Sequence, residues 1–176
     1  MSTTPAMPQG TLPVLEVDGK SLSQSLAIAR YLAGQFGLMG ADSWEAAQID
    51  CILDTLVDIG NSMHSFVTEE KKILLTRHTE EVVPQALGYM ETTLANNGAG
   101  KGFLVGSELT LADLALYAAL IYPTEVFGVK LDKYPNVTAH RAMVEGLPRV
   151  VDYVNNRPAY DELSDHMIKP LVKSFS

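Results

Sequence analysis

One segment that is apolar on every face constrains the fold more than any other feature of the sequence. Residues Leu114–Ile121 read Leu-Ala-Leu-Tyr-Ala-Ala-Leu-Ile, so a helix formed by them has no polar face to turn toward water. In a soluble protein such a helix is stable only when other helices surround it. The segment is well short of the roughly 20 apolar residues that cross a bilayer, so it predicts the centre of a helical bundle and no membrane insertion.

The start of that helix is marked by a capping box. In Thr110-Leu-Ala-Asp113 the Thr precedes the helix and the Asp stands at the third helical position, where Glu is commoner. Leu109 and Leu114 have the spacing of a hydrophobic staple. We therefore assign Thr110 and Asp113 a structural role and expect Asp113 to be almost the only charge in the core.

Apolar residues at helical spacing predict the surrounding helices. A long amphipathic helix is expected from Trp44 onward, and a second from about residue 70 to 97. Pro84 should kink the second helix, because proline lacks a backbone donor. Shorter helices are expected at about 136–146 and 148–156. The apolar face of the first long helix consists of Ile49, Ile52, Leu53, Leu56, Ile59 and Met63.

The chain before this bundle predicts a β-hairpin and one helix. Asp18-Gly19 is a strong turn signal between strands at roughly 13–17 and 20–22. Ser23 is the expected N-cap of the helix that follows, and the segment from Gly37 to Ser43 is the expected linker. Because a two-stranded sheet is marginal by itself, we expect that strands completing it are missing from this chain.

Composition excludes several classes of function. The chain has 176 residues, 13 Lys+Arg against 21 Asp+Glu and a net charge of −8, so nucleic acid is not an expected partner. Its single cysteine, Cys51, excludes an internal disulfide and is expected to be buried and inert. The first ten residues lack the features of a secretory signal, which favours a cytoplasmic location. The histidines, expected at the surface or partly buried without metal-ligand spacing, are His64, His78, His140 and His166.

An acidic stripe is the most informative charge pattern. Between Tyr31 and Glu70 there are seven acids and no Lys or Arg, and Asp50, Asp54 and Asp58 follow at i, i+4 and i+8. Like charges at this spacing destabilise a helix, and the same helix offers no cation. Either the stripe is a solvated face, or it meets a cation: a ligand ammonium, a divalent metal or a basic surface of a second subunit.

Two further features are open to two interpretations each. Gln24-Ser25 at a helix start is either an ordinary cap or a site for a carboxylate, which the helix N–H groups and dipole favour. Leu12-Pro13 is either simple strand initiation or a cis bond that turns backbone groups toward a ligand.

Taken in order, these segments resemble one family. Gly10–Leu32 resembles the end of the thioredoxin-like domain of cytosolic glutathione S-transferases, in particular the sigma class, which includes glutathione-dependent prostaglandin D synthase and the S-crystallins. Ile49–Asp58 resembles the fourth helix of that class, Leu109–Asp113 its capping box and Arg157-Pro158 its closing Arg-Pro. The resemblance covers residues 8 to about 160.

The resemblance implies a mostly α fold in three parts. Residues 1–37 would be the C-terminal ββα part of a thioredoxin-like domain, residues 38–160 an all-helical C-terminal domain, and residues 161–176 a tail.

It also implies a glutathione-binding site at the end of the hairpin. Leu12, before a cis Pro13, would pair its backbone with the cysteinyl unit, and Gln24 and Ser25 would hold the γ-glutamyl carboxylate. Thr11 stands where the class usually has Gln or Lys, whose longer side chain can serve the glycyl end.

Asp58 would reach across a homodimer to the γ-glutamyl ammonium of the other subunit's glutathione. Val57 replaces an acid that helps some members bind a divalent ion, so no metal site is expected. The wall of the electrophile site would include Met63, Phe66 and Tyr117.

The family's thiolate-stabilising tyrosine lies on a strand before this region, and no tyrosine is found among the nine residues that precede Gly10. We therefore expect no catalytic residue in this chain, and weak or undetectable glutathione binding by the chain alone. The resemblance implies a cytoplasmic, dimeric transferase that conjugates glutathione to a small electrophile, or isomerises a peroxide, when its N-terminal domain is complete. The alternative is a catalytically inactive structural or interaction protein of the same fold.

Overall fold

A computed structural model describes residues 9–64, 71–98 and 102–156 of the chain. The described part is mostly helical, with one small sheet near its start, as the sequence predicts. Strands β1 (Val14–Val17) and β2 (Lys20–Ser23) are antiparallel, with Leu15 opposite Leu22. Asp18 and Gly19 both have positive φ, 50° and 73°, which is what a two-residue hairpin turn of the I′ type requires.

Helix α1 (Ser25–Gln35) begins one residue later than the sequence predicts. Ser23 is not the N-cap, because it pairs with Val14 as the last residue of β2. Gln24 takes that position with φ 76°, a backbone conformation that non-glycine residues rarely adopt. The helix ends at Gln35, and the positive φ of Gly37 just beyond it lets the Leu38 N–H donate to the Ala33 carbonyl at 2.8 Å.

The rest of the described chain is a helical bundle. Its elements are α2 (Ser43–His64), α3 (Lys71–Arg77), α4 (Val83–Asn96), α5 (Leu111–Ile121), α6 (Pro135–Glu145) and α7 (Pro148–Asn156). Helix α5 packs against both α2 and α6, so the segment predicted to be central is central. Its Leu116 and Leu120 are fully buried beside Ile52 and Leu53 of α2.

A backbone hydrogen bond joins the hairpin and α1 to this bundle. The Leu111 N–H, in the first turn of α5, donates to the Leu38 carbonyl just after α1, at 2.8 Å. Helix α1 also packs on α5. The end of α1 is therefore held relative to the helical core.

Where the sequence predicts a kink at Pro84, the helix contains a π-helical turn. Residues His78–Val82 form this wider turn between α3 and α4, so residues 71–96 are helical throughout. Pro84 has no N–H to give the carbonyl four residues earlier, and a local change of winding accommodates that loss. A second π turn, Tyr122–Val126, contains Pro123 and extends α5.

Asp113 is the centre of a buried polar network. Its Oδ2 accepts hydrogen bonds from the Thr110 N–H (2.8 Å) and Oγ1 (3.0 Å), and its Oδ1 accepts from the Leu104 N–H at 2.8 Å. His140 of α6 lies beside the same Oδ1. The capping box at the start of α5 thus also anchors the preceding loop and the next helix.

The expectation that the histidines lie at or near the surface is wrong for His78 and His140, which are fully buried. Each faces a specific polar partner: Ser62 Oγ lies 2.6 Å from His78 Nδ1, and Asp113 lies beside His140. Long-range partners of this kind leave no local pattern in the sequence. Among the described helices, none is long and apolar enough to cross a membrane.

Candidate functional site

The end of the hairpin gathers the residues that the sequence singled out for an anionic ligand. Because Val14 pairs with Ser23, the residues that flank this pair, Pro13 and Gln24, leave the hairpin at the same end. The Gln24 side-chain amide donates to Gln9 Oε1 at 2.8 Å, which ties the chain before β1 to the start of α1. The Leu12–Pro13 peptide bond is cis.

This end of the hairpin is open to a ligand. Thr11, Leu12 and Pro13 are exposed, Leu12 to 79%, and so are Gln24 and Ser25. The regular hydrogen bonds of α1 begin with the Ile28 N–H, which donates to the Gln24 carbonyl at 2.9 Å. The N–H groups before it belong to the turn that lacks intrahelical acceptors, and the helix dipole favours an anion there. The arrangement suits a carboxylate.

The acidic stripe on α2 has a partner in its own chain, so the expectation that it lacks one is wrong. Arg30 of α1 contacts Asp50 Oδ1 through Nε at 2.6 Å and Asp54 Oδ1 through Nη2 at 3.2 Å. These hydrogen bonds, Asp50 first, raise the pKa of the Arg30 guanidinium. Arg30 stands just before the stretch that lacks basic residues, and only the folded arrangement of α1 and α2 brings its side chain to the stripe.

Asp58, the third acid of the stripe, is in a different position. It is exposed, and within the described residues it forms no ion pair or hydrogen bond. It lines a cavity of about 400 Å³ between α2 and α4, together with Val82, Gln85 and Tyr89. The carboxylate is therefore available to a cation that this part of the chain does not supply.

Cys51 lines the same cavity, and the expectation that it is buried is wrong. The cysteine is exposed, and its Sγ lies 3.7 Å from the Tyr89 hydroxyl. This contact and burial raise the pKa of Tyr89. Ile52 and Leu53 take the core positions of this turn, so the adjacent Cys51 points away from the core.

The expected electrophile wall is only partly visible. Tyr117 is half-buried on α5. The Met63 side chain and the whole of Phe66 lie outside the described residues. Within the ranges described, no group of three or more His, Cys, Asp or Glu side chains is arranged to hold a metal ion.

A larger cavity lies among residues that no sequence motif indicates. It measures about 710 Å³ and lies between the helix of residues 71–96 and the loop before α6. Leu75, Pro84, Phe127 and Tyr134 line it, and charged side chains of both signs, including Glu80 and Lys130, stand around it. The glutathione-site candidates do not line this cavity.

Comparison with known proteins relates this chain to one family. The family model described as glutathione S-transferase, C-terminal domain, matches residues 54–157, and the model for the N-terminal domain matches residues 2–34. S-crystallin SL11 from Nototodarus sloanii is 34% identical over 155 residues, which is 86% of this chain and 76% of the crystallin. Probable glutathione S-transferase 6 from Caenorhabditis elegans is 36% identical over 160 residues, 87% of this chain and 77% of the relative.

A solved structure agrees in shape as well as in sequence. The structure of prostaglandin synthase D of Nilaparvata lugens superposes with a TM-score of 0.77 and 35% identity, covering 86% of this chain and 77% of that one.

Proposed function

We propose that this chain, which belongs to the glutathione S-transferase family, binds glutathione at the end of the hairpin and presents its thiol to a small electrophile or peroxide. The observation that carries the proposal is the juxtaposition of the exposed Thr11–Pro13 segment with the open start of α1 at Gln24 and Ser25. The similarity to S-crystallin SL11 and to prostaglandin synthase D supports a sigma-like member.

Each part of glutathione has a proposed partner in this arrangement. The γ-glutamyl carboxylate is held by the first-turn N–H groups of α1 with the Ser25 hydroxyl and the Gln24 amide, because backbone donors and the helix dipole stabilise an anion. The Leu12 backbone pairs with the cysteinyl unit, and Thr11 lies toward the glycyl end. We place the domain boundary at residues 37 and 38 and the end of the helical domain at residue 160.

The chemistry that follows binding is proposed from the family. In conjugation, the glutathione thiol loses its proton, and the thiolate sulfur forms a bond to an electrophilic carbon while the leaving group departs with its bonding electrons. In a peroxide isomerisation, the thiolate is regenerated. A free thiol is mostly protonated near neutral pH, so a donor that stabilises the thiolate accelerates either reaction. We assign that donor to no residue of this chain.

We further propose a homodimer in which Asp58 serves the partner subunit's glutathione. Two observations support it: Asp58 lacks a partner within the described residues, and it lines a cavity that is open on the face formed by α2 and α4. An ammonium group is the cation that the γ-glutamyl unit supplies. The proposed setting is the cytoplasm.

Calorimetric titration with glutathione and with cysteinylglycine tests the binding site. Cysteinylglycine lacks the γ-glutamyl unit, so it probes every contact except those with Gln24, Ser25 and Asp58. We expect saturable, weak glutathione binding that Ser25→Ala weakens about tenfold, the order of one or two lost charge-assisted hydrogen bonds. Cysteinylglycine should bind wild type and variant equally. No binding of glutathione by the native chain would contradict the proposal.

That negative result would favour the second candidate, a structural protein that retains the fold without the ligand. The 34% identity with S-crystallin SL11 is the observation that favours this candidate. The intact mass of the protein isolated from its source separates the two further. A mass larger by a strand-helix-strand segment supports the enzyme, and a mass near 19.1 kDa supports the structural protein.

A further inference from the structure

Arg30 connects the two elements that carry the proposed glutathione contacts. It lies five residues after Ser25 on α1, and its guanidinium reaches Asp50 and Asp54 on α2 at 2.6 and 3.2 Å. In the part of the chain that the structure describes, side-chain hydrogen bonds between α1 and α2 come from Arg30 alone. The Arg30 side chain is 32% exposed and that of Asp50 45%, so this contact is partly shielded from water, whereas the Asp54 side chain is 73% exposed.

Because Arg30 contacts two of the three acids of the stripe, the three carboxylates differ in whether they have a cationic partner. Asp50 and Asp54 share one guanidinium, whereas Asp58, one turn farther along α2, is left for another cation. Five helical residues span about 7.5 Å along the axis, which is within a Debye length of about 8 Å at physiological salt. Arg30 therefore contributes positive potential at the start of α1 and offsets the acids of α2.

We propose that Arg30 is a positioning residue of the glutathione site, which holds the start of α1 on α2 and keeps Asp50 and Asp54 from repelling the γ-glutamyl carboxylate. This inference rests on the proposed function and deepens it. Arg30 touches no reacting atom; it acts through the placement of Gln24 and Ser25 and through charge.

The first measurement needs no ligand. Amide hydrogen exchange of residues 25–36 is compared among the wild-type chain, Arg30→Lys and Arg30→Gln. We expect exchange about fivefold faster in Arg30→Gln, because the loss of a partly shielded ion pair costs about 1 kcal/mol of local stability. Arg30→Lys should fall between the two, since an ammonium keeps the charge without the planar fork.

Arg141→Gln is the matched control. Arg141 also forms two contacts, with Thr124 Oγ1 at 2.7 Å and Glu125 at 3.0 Å, and it lies on α6. Its loss should leave exchange in residues 25–36 unchanged.

The second measurement distinguishes positioning from a general loss of structure. In calorimetric titrations, Arg30→Gln should raise the glutathione dissociation constant about three- to tenfold, and less at high salt. The constant for cysteinylglycine should stay the same, whereas a damaged fold would weaken both ligands. Adding Asp50→Asn and Asp54→Asn to Arg30→Gln should recover part of the glutathione affinity, because the unpaired acids are removed.

Unchanged exchange in residues 25–36 of Arg30→Gln, or equal weakening of both peptides, would overturn the role of Arg30. Failure of the wild-type chain to bind glutathione would overturn the proposed function and, with it, the positioning of that ligand. The exchange experiment then still decides whether Arg30 holds α1 on α2.

Discussion

His140 Nε2 lies 3.0 Å from Asp113 Oδ1, and both side chains are completely buried. Because a carboxylate only accepts, the proton of this hydrogen bond is on Nε2 of the imidazole. Together with the bonds from Leu104 and Thr110, it gives the carboxylate four donors. Asp113 is thus a junction of α5, α6 and the loop before α5, at some distance in the chain from the proposed glutathione contacts.

We expect Asp113→Ala to lower the free energy of unfolding by about 3–5 kcal/mol, since it leaves several buried donors without an acceptor. Urea denaturation monitored by circular dichroism measures this. Asp132→Ala, at an exposed position, should change stability by less than about 0.5 kcal/mol. An Asp113→Ala protein as stable as wild type would contradict the role of the network.

The buried His78 should make the protein sensitive to acid. Burial lowers the pKa of His78 from its usual 6.5. The unfolded chain therefore binds more protons than the folded protein between the lowered pKa and 6.5, so this contribution to stability is lost as the pH falls through that window. Urea midpoints measured at several pH values between about 4 and 7.5 record the slope.

His78→Asn should flatten that slope, because Asn does not titrate and its amide can replace Nδ1 beside Ser62. Ser62→Ala is the control: it removes the 2.6 Å contact with His78 and should lower stability at every pH while keeping the slope. An unchanged slope in His78→Asn would assign the acid sensitivity to other groups.

Subunit mixing tests the proposed role of Asp58 across the dimer. Ser25→Ala and Asp58→Asn should each weaken glutathione binding in their homodimers, without loss of stability because both positions are exposed. A two-fold mixed dimer of these variants contains one site with intact Ser25 and the partner's intact Asp58. Calorimetry of the mixture should therefore recover wild-type affinity at up to half the sites of the mixed dimer. No recovery would show that Asp58 does not act across the subunits.

Cys51 reports whether α2 and α4 form the subunit contact. It is the sole cysteine of the sequence, it is exposed on the described chain, and it lines the same cavity as Asp58. If this face meets the partner, labelling of native Cys51 by a chromogenic disulfide should accelerate on dilution, as dimers dissociate. Urea-unfolded protein supplies the unprotected rate. A labelling rate independent of protein concentration would move the subunit contact to another face.

Local patterns were sufficient to predict the hairpin, α5 and the short helices, since a turn dipeptide, a capping box and apolar periodicity each act within a few residues. The start of α1 was misplaced because Ser23, a good cap by composition, is used by the sheet. Apolar periodicity does not specify which helix faces which. Three features depend on that arrangement: the contacts of Arg30 with Asp50 and Asp54, the Asp113–His140 pair and the exposure of Cys51. The sequence alone therefore predicts a partner of Asp50 and Asp54 outside the chain, although the partner lies on α1.

The π turn at His78–Val82 also decides which way the two halves of its helix face. Across this turn the buried residues His78 and Val83 are five positions apart, whereas after it the buried residues keep α-helical spacing, with Leu87, Met90 and Leu94 three or four positions apart. With regular α-helical winding, five residues would turn the chain about 140° past one full turn and the residues from Val83 on would face away from His78, whereas the wider π turn takes up the additional residue. Deleting one residue there would leave four residues from His78 to the next core position, about one α-helical turn, so regular winding would keep Ala86, Met90 and Leu94 in the interior. The wider winding of this turn thus sets the direction in which the side chains of the second half of the helix point.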